Sequence, residues 1–174
     1  MKDKSTPHQS DSSEKKPRST PGPVVRIEPG IYKIYTALPS SSPKLFQVSS
    51  VEDNEGSQNV HLSRDQDYPE SKWKVSNTSE ELSYVLLNQG YFRALEAKNG
   101  EIFASTIPAS SSRPGHLWRF KYAGNEGGID LFYLENKYTR NLACVQDHST
   151  EDNTNIIECS YSGRMNQKFI LVKL

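Results

Sequence analysis

The sequence predicts an all-β chain, closed into a pseudo-threefold barrel of twelve short strands. No segment carries a sustained helical period with caps, whereas short segments alternate apolar and polar side chains along the whole chain after the first two dozen residues. One order of features also recurs three times: strand, turn, strand, polar loop, strand, loop, and a closing strand anchored by an aromatic residue. The anchors Trp73, Trp118 and Phe169 stand 45 and 51 residues apart, and the first-strand aromatics Tyr32, Tyr84 and Phe132 stand 52 and 48 apart. Self-similarity at a period of this size marks a repeat architecture. Three such units fall short of the roughly four blades that a propeller needs. Closure into a barrel leaves no free sheet edge.

Residues 1–24 read as a disordered tail, rich in Ser, Lys and Pro, with almost no large apolar side chain before Val24. Such a segment buries too little apolar surface to offset its ordering entropy. The folded domain is expected over 25–174, with repeats over about 27–78, 79–124 and 125–174. In the first repeat, Gly30–Tyr35 alternates as a half-buried strand and Pro39–Pro43 breaks it. Strands follow at Lys44–Val48, Asn59–Ser63 and Ser71–Val75, with a polar loop at Glu52–Gln58. The second repeat runs through Ser83–Leu87, Phe92–Ala97, Ile102–Thr106 and Leu117–Phe120. Its Lys98-Asn99-Gly100 segment reads as a tight hairpin turn, because Asn and Gly accept positive φ. The third runs from Ile129–Leu134 through strands ending at Val145 and Cys159 to Phe169–Leu171.

Bulk properties exclude several classes. The 174 residues suffice for one domain with a real core. Lys and Arg number 21 and so do Asp and Glu, which gives no electrostatic reason to expect a nucleic-acid partner. No apolar run is long enough for a helical membrane span. The N-terminus has no apolar leader core, so a cytoplasmic location, or secretion by a non-classical route, is the expectation. In that compartment Cys144 and Cys159 are expected as two reduced, partly buried thiols. The alternative is one disulfide clipping the third repeat, since both fall on strands that are candidate neighbours.

The repeated order of strands, with Asn153-Thr154-Asn155-Ile156-Ile157 leading to Asn166-Gln167-Lys168-Phe169, resembles the ricin-type lectin domain. The opening Pro29-Gly30-Ile31-Tyr32-Lys33-Ile34 is similar to that of mushroom members in particular. The resemblance covers residues 27–174 and implies a β-trefoil. The closing Gln-x-Trp motif is kept best in the third repeat and is reduced to Ser71-Lys72-Trp73 and His116-Leu117-Trp118 in the others.

The resemblance also implies where a sugar would sit. An acidic residue on the second strand accepts bonds from hydroxyls, an aromatic near the third strand stacks on the sugar's C–H face, and an Asn before Gln-x-Trp adds a further bond. In this chain the acidic position falls at Gln47, Glu96 and Cys144. The stacking position falls at His61 and Ile157 in the first and third repeats. In the second it is unassigned, with Phe103 the nearest aromatic. The position before Gln falls at Glu70, Gly115 and Asn166. No repeat keeps all three. The first, with Gln47, His61 and Glu70, carries the most polar set and is the first place to look, ahead of Glu96 and Asn166.

The function implied is a carbohydrate-binding module for glycans or glycoproteins with galactose or N-acetylgalactosamine features, strengthened by several sites or by a homodimer. A second reading from a different class is a β-trefoil protease inhibitor that presents an exposed loop to a protease, with tips at Asn54, Lys98 and Asn99 or at Arg64-Asp65. An enzyme is not expected. The histidines at 8, 61, 116 and 148 lack metal spacing, and neither a Gly-x-Ser-x-Gly nor a phosphate-cradling motif is present. Asp147, Glu151 and Asp152 lack EF-hand spacing and read as solvated loop charges, so no metal or cofactor is expected.

Overall fold

Alternation in the sequence becomes strand after strand in the computed structural model, which describes residues 21–107 and 113–174. The tail expected over 1–24 falls mainly on residues 1–20, outside that range. From Pro21 onward the chain is docked: Tyr122 donates its backbone N–H to Pro23 O at 2.9 Å, and a Cβ at Gly22 would lie 1.9 Å from Tyr122 O. Val24–Val25 is itself a strand, so the ordered chain begins before residue 25. Among the described residues there are thirteen strands where twelve were expected.

In chain order the strands are β1 (Val24–Val25), β2 (Gly30–Thr36), β3 (Lys44–Glu52), β4 (Gln58–Arg64), β5 (Trp73–Asn77), β6 (Tyr84–Asn88), β7 (Ala94–Lys98), β8 (Glu101–Ser105), β9 (Trp118–Glu126), β10 (Ile129–Asn136), β11 (Leu142–Val145), β12 (Ile156–Cys159) and β13 (Phe169–Lys173). Six of them close a ring by antiparallel pairing: β13 with β2, β2 with β5, β5 with β6, β6 with β9, β9 with β10, and β10 back to β13. Three hairpins, β3–β4, β7–β8 and β11–β12, cap that ring. They are joined to one another where β4 pairs β8 and β8 pairs β12.

The anchors fill the ring. Trp73 and Trp118 have no exposed surface and Phe169 is buried. Each Trp must also satisfy its indole N–H on burial. Trp73 Nε1 donates to Phe46 O at 3.3 Å, and Trp118 Nε1 donates to Leu95 O at 2.9 Å. Phe169 has no donor and meets Phe46 edge to face, ring centres 4.9 Å apart.

The turn after each first strand uses a side chain as a local cap. Asn88 donates Nδ2–H to Glu70 O and accepts from the N–H groups of Gly90 and Tyr91; Asn136 does the same with Gly115 O, Tyr138 and Thr139. Thr36 in the first repeat only accepts from Leu38 N–H, at 3.2 Å. These Asn-centred turns put Phe92 and Arg140 in the left-handed region, at φ 54° and 63°. Phe92 therefore precedes β7 rather than starting it. The Asn99-Gly100 turn has φ of 55° and 83°, the two positive values a tight hairpin requires.

Candidate functional site

Strand register decides which side chains share a face, because directly opposed residues in an antiparallel pair point the same way. Gln47 lies opposite His61, Glu96 opposite Phe103, and Cys144 opposite Ile157. The second repeat thus brings Phe103 to the position occupied by His61 and Ile157 in the others.

In the first repeat the predicted residues are occupied by the fold. His61 is only 7% exposed and bridges to Asn155 of the third repeat. The third-repeat loop is fastened beside it: Lys44 Nζ meets Asp152 Oδ1 at 2.5 Å, and Arg64 donates its backbone N–H to the same oxygen at 3.1 Å. Burial pushes the His61 imidazole below its ordinary value, with Asp152 opposing. Gln47 Oε1 is buried without a hydrogen-bond partner among the described residues. Glu70 packs against Gly90, where a Cβ would stand 2.8 Å from Glu70 Cγ. No side-chain hydrogen bond among the described residues joins Gln47, His61 and Glu70, although Gln47 and His61 are backbone ladder partners.

The second repeat holds a buried polar cluster. Glu96, Ser105 and His116 are 4%, 5% and 0% exposed. Ser105 Oγ donates to Glu96 Oε2 and lies 2.8 Å from His116 Nε2. His116 Nδ1 accepts the Arg113 backbone N–H at 3.3 Å, so the neutral ring carries its proton on Nε2, facing Ser105. The serine proton is thus held by the carboxylate, and the histidine is a donor to the serine. That is the reverse of a nucleophile and its base. His116, with Nε2 3.5 Å from Glu96 Oε2, holds the Glu96 carboxyl below its ordinary value, against burial and with help from Ser105. Arg113 Nη1 stands 3.9 Å from Glu96 Oε1.

In the third repeat the two cysteines are joined, correcting the expectation of free thiols: β11 and β12 bring Cys144 and Cys159 to a Cα separation of 6.2 Å, and the sulfurs are bonded. Asn166 is 8% exposed; its Nδ2 donates to Val145 O at 3.1 Å, and its Oδ1 is buried without a partner among the described residues. Gln167 Oε1 accepts the N–H groups of Ser162 and Gly163, so it clamps a loop.

Two open clefts lie elsewhere on the hairpin cap. A cleft of about 300 Å³ runs between the Asp53–Ser57 loop and β8, lined among others by Asp53, Ser57, Gln58, Asn59, Glu101 and Phe103. A second cleft of about 260 Å³ shares Asp53, Ser57, Glu101 and Phe103 and adds Glu55, Lys98 and Asn99. Phe103 is half-buried between Glu96 on β7 and Asn59 on β4, each directly opposite it. Asn59 Nδ2 donates to Asn155 Oδ1 at 2.7 Å. The loop wall is rigid: Asp53 Oδ1 accepts the N–H groups of Glu55 and Ser57, both at 2.8 Å. Arg93 ties Gly56 O at 2.7 Å and Glu52 at 2.6 Å.

The loop tips Asn54, Lys98 and Asn99 are exposed beside these clefts. Arg64 and Asp65 are held instead, Arg64 by Asp152, and Asp65 by Lys33 at 3.0 Å and Tyr35 at 2.5 Å. Alternation marks Asn59 and His61 on one strand, and Glu101 and Phe103 on the other, as outward pairs. The meeting of β4 with β8 has no signal in the sequence.

No protein-family model matches the chain, and no curated protein does. Solved structures do. The designed 3-fold symmetric protein ThreeFoil superposes with a TM-score of 0.68 at 23% identity, over 83% of this chain and 99% of its own. The Rhizoctonia solani agglutinin superposes with a TM-score of 0.66 at 14% identity, over 86% and 99%. The Polyporus squamosus lectin, bound to the human-type influenza-binding epitope Neu5Aca2-6Galb1-4GlcNAc, gives 0.64 at 15% identity, over 86% of this chain and 51% of that one. At these identities the likeness is one of fold, and the fold is a β-trefoil.

Proposed function

We propose that this β-trefoil is a carbohydrate-binding module whose contact surface is the Phe103 cleft. The observation that carries the reading is a half-exposed aromatic ring with an amide on one side, carboxylates along one wall, and Gln58 Oε1 unpartnered in the lining. A ring covers the C–H face of a sugar, and surrounding acceptors fix its hydroxyls. The lectins among the structural neighbours support the class of ligand. Galactose- and N-acetylgalactosamine-bearing glycans are the first to test. One such cleft binds weakly, and a second copy of the chain would raise avidity.

Glycan-array binding followed by calorimetry, on the wild type and Phe103→Ala, tests the reading. Retention on at least one glycan, lost in Phe103→Ala, is expected. Absence of retention on every glycan, with thermal stability unchanged in millimolar sugar, overturns it. A second reading rests on the same rim, where Asn54, Lys98 and Asn99 stand exposed on fixed turns: an inhibitory loop for a protease. Slowing of a protease by the wild type but not by Asn99→Ala would favour it.

A further inference from the structure

We propose that the Phe103 cleft selects an amino sugar with a free, protonated amine over neutral and N-acetylated sugars. This rests on the carbohydrate reading above and narrows it to one ligand chemistry. The argument is an inventory of donors and acceptors. Among the described residues, the Glu101 carboxylate makes no hydrogen bond or ion pair, although it lines both clefts. Asp53 commits Oδ1 to its own loop and leaves Oδ2 free. Gln58 is 1% exposed; its Nε2 donates to Ser49 O at 2.9 Å and its Oε1 has no partner. Asn59 spends an amide hydrogen on Asn155 and keeps its oxygen. The first cleft therefore offers more uncommitted acceptors than donors, which favours a ligand that donates; the donors Lys98 and Asn99 line the second.

Charge points the same way. The neighbouring Glu52 is neutralised by Arg93 at 2.6 Å, and Glu55 faces Lys98 at 3.8 Å. Asp53 and Glu101 form no ion pair among the described residues, although Lys98, which faces Glu55, stands directly opposite Glu101 across the hairpin. Asp53 and Glu101 line the same cleft as half-buried Phe103, and an aromatic ring beside unpaired carboxylates favours an ammonium group. A bare metal ion fits less well, since no group of three His, Cys, Asp or Glu side chains among the described residues is placed to hold one. The volume of about 300 Å³ reaches the lower end of small-ligand sites, which suits one ring with its substituents. An N-acetyl group removes the positive charge and adds an acceptor to a site that already has too many.

The test titrates the full chain with a glucosamine tetramer, its N-acetylated counterpart, and spermidine as an amine without a sugar. Calorimetry is run below the pKa of the sugar amine at low and at high salt. The free-amine tetramer is expected to bind about tenfold tighter than the N-acetylated one. That preference shrinks as salt rises. Glu101→Gln should remove most of the preference while leaving thermal unfolding unchanged, because Glu101 is exposed. Phe103→Ala should weaken both tetramers. Equal or tighter binding of the N-acetylated tetramer overturns the inference and leaves the carbohydrate reading standing. So does a preference that survives Glu101→Gln, or spermidine binding as tightly as the amine tetramer. Should neither tetramer nor any neutral glycan bind, both readings fall.

Discussion

The second and third repeats place different chemistry on the same two register positions. In the second, Glu96 faces Phe103, and the carboxylate is braced by Ser105 and His116. In the third, Cys144 faces Ile157, and the cysteine is bonded to Cys159 across the same hairpin. One hairpin is held by a polar cluster and presents an aromatic ring; the other is held covalently and presents an aliphatic side chain. The third repeat comes nearest to the Gln-x-Trp closing motif of the lectin domain that the sequence resembles, and it offers least to a ligand. The second has lost the motif's glutamine to His116 and keeps the charged group. The motif and the open cleft fall on different repeats, because Gln167 secures a loop, whereas a binding surface needs exposed, uncommitted groups.

The comparison breaks first at the anchors. Trp118→Ala is expected to cost about 3–5 kcal/mol in urea unfolding. Phe169→Ala should cost a similar amount, but Trp118→Phe should cost about 1 kcal/mol more than its area loss, from the bond to Leu95 O. Equal stability of Trp118→Phe and wild type would show that this bond contributes nothing.

Reduction comes next. The Cys144–Cys159 loop spans a sequence separation of 15, for which chain entropy gives about 3 kcal/mol. Treatment with dithiothreitol, or Cys144→Ser with Cys159→Ser, should lower the urea midpoint accordingly. A midpoint indifferent to reductant would mean the third hairpin is held by packing alone.

Glu96→Gln should cost about 1–3 kcal/mol at neutral pH by leaving His116 and Ser105 poorly partnered. It should also change the acid limb. The folded carboxyl titrates below its ordinary 4.5, so the folded chain binds fewer protons there than the unfolded chain. Its stabilisation is whole above 4.5 and drains as pH falls through the folded value. The variant should lose part of that acid dependence and retain the part from His61, whose imidazole also titrates low in the fold. An unaltered pH profile of stability in Glu96→Gln would refute the assignment.

The smallest effect on folding is expected at Phe103. Phe103→Ala removes a half-exposed side chain and should shift stability by about 1 kcal/mol or less. It should nonetheless weaken glycan binding by about tenfold. Ile157→Ala, at the equivalent position of the third repeat, should leave glycan binding unchanged. Loss of binding in Ile157→Ala but not in Phe103→Ala would move the site to the other hairpin.

The strands were legible because alternation is local: each half-buried strand writes its inward face in its own residues, as Gly30–Tyr35 and Ile102–Ser105 do. Spacing of Trp73, Trp118 and Phe169 then fixed the repeated frame and, with the resemblance, the β-trefoil. Two local readings failed. Val24–Val25 carries too few residues to show a pattern, and its pairing partner lies at Phe120 and Lys121. The cysteine pairing depended on hairpin register, which sequence spacing leaves open.

What the sequence determined by itself was the class of fold and which residues face outward, since both follow from periodicity along one strand. What only the tertiary structure decided was which outward residues meet. His61 is polar in sequence, yet it is covered because the third repeat's loop crosses it. Phe103 sits beside Asn59 because β4 and β8, from different repeats, are hydrogen-bonded neighbours. A binding surface is made of such nonlocal contacts, and no local propensity encodes them.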